Sequence, residues 1–259
     1  MRSSGFLVLL LAVASGSARA QEAAAACGSA QDVTQRYVNA LGGEAAIKQV
    51  KSLRIEANET EPHTFDPQSM AHSRYWFEWQ APNRMRVHRH YLLSPATIIF
   101  DGTTWSQHNG HAGHNQDPTP EWQRKLRQLP YNDFPEMQQF RVMANPLLLT
   151  AASELYRELT VAPGEPGTCV VRGIGTNEWG YERRDFMIFD QGSGLLRSWR
   201  IQAGLRKGNY FEFRFDDYRQ AGQIVIPYVV YYDFYRALFR VTKVAINVPL
   251  PNSDFVPKP

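Results

Sequence analysis

Histidine is the residue type here with the most obvious chemistry, and the seven histidines are unevenly spaced. His108-Asn109-Gly110-His111-Ala112-Gly113-His114 gathers three imidazoles in one short stretch, and His88 and His90 sit two apart, which on a strand turns both rings to one face. Imidazole binds zinc, copper and nickel, so His108, His111 and His114 are the natural core of a metal-dependent envelope enzyme. Against that reading, the spacing belongs to a Gly-containing loop, and Ser94 stands where an acidic ligand would follow His90 in a cupin-like set. A solvated loop and a wet strand face explain the same residues, and the expectation is no metal site. Other signatures are missing as well. Gly192-Ser193-Gly194 lacks the spacing of a nucleophile elbow and reads as a turn, and the sequence holds no Walker loop, dinucleotide fingerprint or His-Glu-x-x-His. Asp and Glu are spread along strand edges, and no pair stands out for acid–base work. The expectation is a protein with no cofactor and no catalytic residues, not an enzyme.

The elements around these residues read mainly as β. Phe211, Phe213 and Phe215 alternate with Tyr210, Glu212, Arg214 and Asp216, and Tyr75, Phe77 and Trp79 alternate with polar neighbours over 74–80. Met85, Val87 and Tyr91 oppose Arg84, Arg86, His88 and His90. Leu195, Trp199 and Ile201 are expected on one face of their strand, with Leu196 and Ser198 on the other. One greasy and one wet face mark an antiparallel sheet. Ser29 and Asp32 offer caps for an N-terminal helical stretch over 30–50, broken at Gly42-Gly43. Strands are expected over 52–107, with 61–71 a polar loop around Pro62 and Pro67 and Asp101-Gly102 a hairpin turn. Thr119 and Pro120 open a helical insert over 118–152, strands resume over 159–248, and Pro249, Pro251 and Pro257 make 249–259 an extended tail. A sheet of roughly ten antiparallel strands curls and gains a concave face. The insert is its natural cover.

Residues 1–20 have the layout of a secretory signal, with Arg2, a short apolar run and Ala18-Arg19-Ala20 as cleavage site, so the mature chain is expected to begin near Gln21 and be exported. Residues 21–259 then form a single domain. Cys27 and Cys169 are an even pair for an oxidising compartment: either they are bridged or they are two unpaired thiols. A lipid anchor on Cys27 fits poorly, because Ala24-Ala25-Ala26 precede it without a larger aliphatic residue. A net charge of +3 with no basic run gives no footing for nucleic acid.

Several phrases resemble a known family when taken together: Tyr37-Val38-Asn39-Ala40-Leu41-Gly42-Gly43, Val50-Lys51-Ser52-Leu53-Arg54-Ile55-Glu56, Trp79 to Val87, and Phe100-Asp101-Gly102-Thr103-Thr104-Trp105. Phe189-Asp190 with Gly194-Leu195-Leu196, Asp217-Tyr218 with Ile226-Pro227, and Asn247-Val248-Pro249-Leu250 with Phe255 and Pro257 follow in the same order. The chain is similar in these to the divergent branch of the outer-membrane lipoprotein-sorting family, the carriers like LolA and LolB. The resemblance implies an unclosed antiparallel β-barrel with a helical lid, in the periplasm, shielding the acyl chains of a lipoprotein or another apolar lipid. It also implies inner- or outer-membrane proteins that load the carrier and accept its cargo. On that reading Tyr75, Phe77, Trp79, Met85, Val87, Trp199, Phe211, Phe213 and Phe215 line the concave face, and Trp122, Leu126, Leu147 and Leu148 belong to the lid. A bland alternative is a structural envelope domain whose apolar faces are only core.

Overall fold

The computed structural model describes residues 26–62, 70–82, 84–91, 96–102, 105–109, 156–176, 182–202, 208, 210–233 and 236–256. The leader 1–20 lies outside them, as do the whole of the expected lid over 118–152 (Trp122, Leu126, Leu147 and Leu148 included) and His111 and His114.

Period-two alternation makes twelve strands, more than the pattern alone suggested. The first five are β1 (Ser52–Pro62), β2 (Met70–Gln80), β3 (Arg84–Tyr91), β4 (Ala96–Phe100) and β5 (Trp105–Asn109). The other seven are β6 (Glu158–Ala162), β7 (Thr168–Thr176), β8 (Glu182–Asp190), β9 (Leu196–Gln202), β10 (Tyr210–Ala221), β11 (Ile224–Tyr232) and β12 (Ala237–Ile246). All pair antiparallel in one sheet, in the order β5-β4-β3-β2-β1-β12-β11-β10-β9-β8-β7-β6. Two meanders therefore meet at a central seam, where β1 pairs with β12 from Leu53↔Ile246 to Thr60↔Leu238. Among the described residues the outermost strands, β5 and β6, do not pair with each other, so the barrel is unclosed.

One face of this sheet is a continuous apolar surface, from Ile98 on β4 through Phe77, Ile55, Phe239, Phe213 and Trp199 to Val171 on β7. Helix α1 (Ala30–Ala40) lies on it. Ser29 caps α1 in a capping box with Asp32, and Val33 and Tyr37 turn one stripe inward. Tyr37 meets Phe189 of β8 at 5.4 Å, and the Leu41 carbonyl accepts from the Val225 N–H of β11 at 3.0 Å. Gly42 has φ 115 and runs so close to the Gln223 carbonyl that a Cβ would sit 2.6 Å from it, which explains why glycine stands there. A short helix α2 (Glu44–Lys48) leads into β1. Cys27 and Cys169 form a disulfide that fixes the chain before α1 to β7.

Three expectations change. Residues 61–71 are not wholly a loop, because β1 and β2 stay in register out to Pro62↔Met70. Glu61, whose polarity argued for a loop, is held by Arg89 instead, together with Glu59. On β9 it is Leu196 that is buried, at 0% exposure, while Arg197 is exposed. Phe189 pairs with Leu196 but Ile188 pairs with Ser198, so Arg197 is an extra residue in a bulge that lets Leu196 and Trp199 share the inner face. Finally, 249–259 is not simply extended. Asn252–Phe255 forms a 3-10 turn, and Leu250 and Phe255 are buried because the tail folds back toward β1–β3, with Arg86 facing Asp254 at 3.3 Å and Arg84 donating to Asn252 at 2.8 Å.

Candidate functional site: the inner face of the open sheet

Register decides which side chains converge on the inner face. Across β3, β2 and β1 the rows run Val87–Phe77–Ile55 and Met85–Trp79–Leu53. Across β11, β10, β9 and β8 one row runs Tyr232–Phe213–Trp199–Met187. Aromatic rings pack along and between the strands of this face: Phe213 on β10 stacks on Tyr232 of β11 at 4.5 Å, Tyr75 stacks on Phe77 two residues along β2 at 5.4 Å, and Tyr75 meets Phe239 of β12 edge-on at 5.4 Å over the intervening β1. Each such pair is worth roughly 0.5–1.5 kcal/mol beyond the area it buries.

All nine residues assigned from sequence to the concave face belong to this one cluster, but their exposure differs. Tyr75, Phe77, Met85, Val87, Trp199, Phe213 and Phe215 are buried, whereas Trp79 and Phe211 are only half-buried. Phe211 stands at the start of β10, 6.2 Å from the Tyr232 ring, where the apolar surface reaches the strand ends farthest from α1.

Polar groups sit at these same strand ends. Glu59 is 2% exposed, and its Oε2 lies 3.2 Å from Arg89 Nη2, which also donates to Glu61 Oε1 at 2.7 Å. Arg89 Nε donates to the Ser73 hydroxyl at 3.4 Å, and its guanidinium sits 5.6 Å from the centre of the Tyr75 ring. Burial pushes the Glu59 carboxyl up to about 7; Arg89 offsets this only in part, and the Glu61 charge adds to the push. Burial likewise raises the Tyr75 hydroxyl above its usual range. On the other meander, Asp185 is 0% exposed and accepts from the Tyr156 hydroxyl at 2.8 Å, the Gln202 N–H at 3.1 Å and Arg183 at 2.9 Å. Tyr156 packs flat against Gly173, where a Cβ would lie 2.6 Å from its ring.

These six residues, Glu59, Glu61, Arg89, Tyr156, Arg183 and Asp185, escaped the sequence reading. A signal existed for four of them. Glu59 is in phase with Leu53, Ile55 and Ala57, Arg89 with Met85 and Val87, and Asp185 and Arg183 with Met187 and Phe189. A charge at an inward position is the mark to look for. The pair Glu59 and Glu61 also shows that carboxylates do come together here, around one guanidinium.

The histidines behave otherwise. His88 and His90 lie on the outer face with His72, and His88 bonds Thr97 at 2.8 Å. Among the described residues no group of three or more His, Cys, Asp or Glu is placed to hold a metal ion. Among them, too, no helix is long and apolar enough to cross a membrane.

Neither a family model nor a curated protein matches the chain. Among solved structures it is similar to a LolA superfamily protein from Nitrosomonas europaea, with a TM-score of 0.48 and 9% identity over 88% of this chain and 97% of that one. It is also similar to a putative outer membrane lipoprotein-sorting protein domain from Vibrio parahaemolyticus, with a TM-score of 0.48 and 12% identity over 89% of this chain and 97% of that one.

Proposed function

We propose that this protein is a non-enzymatic carrier or sensor that takes up acyl chains, those of a lipoprotein or of another apolar lipid, on the inner face of its open sheet. The observation that carries this reading is an unclosed sheet whose apolar face is continuous across both meanders. A sandwich core is sealed by a second sheet, whereas here one sheet presents the whole surface and leaves its two edges unjoined. Acyl chains suit such a surface, each buried methylene contributing about 0.8 kcal/mol without any directional bond. The family phrases in the sequence support the same ligand class, and the leader-like residues 1–20 support a periplasmic location.

Seven of the nine facing residues are covered in this state, so loading requires the cover to move and the ligand to replace what it displaces. The helical insert expected over 118–152 is the segment proposed for that movement, with Trp122, Leu126, Leu147 and Leu148 as the side chains exchanged for acyl chain. Release then needs a membrane partner that binds the cargo more tightly. No bond in the cargo is made or broken.

Native mass spectrometry of protein purified from an exporting host, followed by organic extraction, tests the proposal. A mass excess that extracts as lipid or acylated peptide is expected. Bare protein that also fails to bind a fluorescent fatty acid overturns the reading and leaves a packed core.

A further inference from the structure

The outer face of the first meander carries a second feature, independent of the apolar surface behind it. Two grooves open there side by side and share Trp76 as a wall. The first, of about 820 Å³, is internally neutralised: Glu78, 3% exposed, takes Arg54 Nε at 2.7 Å and Arg86 Nε at 2.6 Å, and Arg86 also faces Asp254. The second, of about 880 Å³, is not. It is walled by Asn58, Thr60, His72, Arg74, Trp76, His90, Arg240 and Thr242. Glu59 and Ser73 border it too, but the Glu59 carboxylate is held by Arg89 within the inner-face cluster.

Register explains how this groove concentrates charge. His90 pairs with Arg74, Arg74 with Asn58, and Asn58 with Arg240, so one row crosses β3, β2, β1 and β12 without a carboxylate. Like charges abreast on a sheet repel. Adjacent strands lie about 4.8 Å apart, which places the Arg74 and Arg240 backbones roughly 10 Å from each other with Asn58 between them. Neither guanidinium has a salt bridge or hydrogen bond among the described residues. The Arg240 charge helps keep Asp217 ionised, but that carboxylate is engaged by Arg219 at 2.6 Å. On the same face Arg54 and Arg86 share Glu78 and Arg219 takes Asp217, whereas Arg74 and Arg240 stand on either side of Asn58.

We propose that this groove binds a phosphorylated sugar, with the phosphate between Arg74 and Arg240 over Asn58 and the sugar ring against Trp76. Two guanidinium forks approaching from either side, with the Asn58 amide, supply more donors than the two oxygens of a carboxylate can use; the three terminal oxygens of a phosphate ester accept more of them. The volume leaves room for a ring beyond the phosphate, and the half-buried indole of Trp76 gives that ring an apolar wall. The site lies on the opposite face of the sheet from the acyl surface, so the two can be occupied together.

Calorimetric titration of the full chain near physiological salt with glucose 6-phosphate, inorganic phosphate and glucose tests this, alongside flotation with phosphatidylcholine vesicles with and without phosphatidylglycerol. The expected result is saturable one-to-one binding of the sugar phosphate, tighter than phosphate alone, with no binding of glucose. Arg74→Gln and Arg240→Gln should each weaken it about tenfold or more, the loss expected for a charged hydrogen bond, and Trp76→Leu should erase the advantage of sugar phosphate over phosphate. Both arginines are exposed, so the Gln variants should keep the circular dichroism of the parent and its uptake of a fluorescent fatty acid. Absence of binding, binding unchanged in both Gln variants, or association only with anionic vesicles would each overturn the proposal, the last by showing a flat charged surface in place of a site.

Discussion

Glu59 is the residue whose environment makes the sharpest claim. Its carboxyl titrates near 7 in the folded protein because burial disfavours the charge, against about 4.3 in an unfolded chain. The native state therefore holds a proton that the unfolded state has released across that interval, and stability falls as pH rises from about 4.5 to 7. The full contribution is present below the unfolded value and is lost above the folded one. Denaturant unfolding at intervals from pH 5 to 8 should show a decline on the order of 1–3 kcal/mol, and Glu59→Gln should flatten it and be the more stable protein at pH 8. An unaltered slope in the Gln variant would mean that Arg89 holds Glu59 ionised throughout. Phe211 bears on ligand uptake at the same scale. Phe213 is the obvious target from sequence, but at 1% exposure and stacked on Tyr232 it is a core residue whose change would unsettle the fold. Phe211 is half-buried, so Phe211→Ser should keep the fold and lower affinity for a fluorescent fatty acid roughly tenfold, the equivalent of about 1.4 kcal/mol of lost apolar contact. Inward-facing aromatics were legible because alternation reports the face directly. The charges among them were overlooked because an inward Glu or Arg resembles a break in the pattern until its partner on another strand is known.

At the scale of elements, local signals read well and pairings read poorly. The cap at Ser29 and the stop at Gly42-Gly43 depend on a few neighbouring residues, and they stand where the sequence put them. Ser29→Ala should cost about 1 kcal/mol in thermal or denaturant unfolding, since it removes the side-chain acceptor of the Asp32 N–H. The β9 bulge was not legible, because one added residue reverses the phase of all that follows, and only the partner strand reveals it. The tail misled for a related reason: its prolines describe the backbone, while the burial of Phe255 depends on the surface it returns to. The Cys27–Cys169 disulfide closes a loop of 142 residues. Loop-closure entropy puts its contribution at about 5 kcal/mol, so the Cys27→Ala, Cys169→Ala double variant should unfold at markedly lower denaturant than the oxidised parent and match the parent in reductant.

For the whole molecule, the decisive fact is the strand order. Meanders were visible as successive alternating segments with turns between them, a curled sheet followed from their number, and the unclosed barrel came from the family resemblance. The sequence could not say that the first and last strands would be neighbours, because hydrophobic periodicity carries no information about distant partners. That seam joins residues such as Leu53 and Ile246, which are nearly the whole described chain apart. Each meander consists of near-neighbour contacts that form early, but the surface spanning both cannot exist until the last strand has arrived. Such high contact order places folding toward the milliseconds-to-seconds end of the range for small domains or beyond it. Until the seam shuts, each half holds an aromatic face and an unpaired central edge open to whatever is nearby. A chain synthesised from its N-terminus thus carries its first meander half-sheltered until synthesis is almost complete, a period in which a holding chaperone would find its most exposed binding surface.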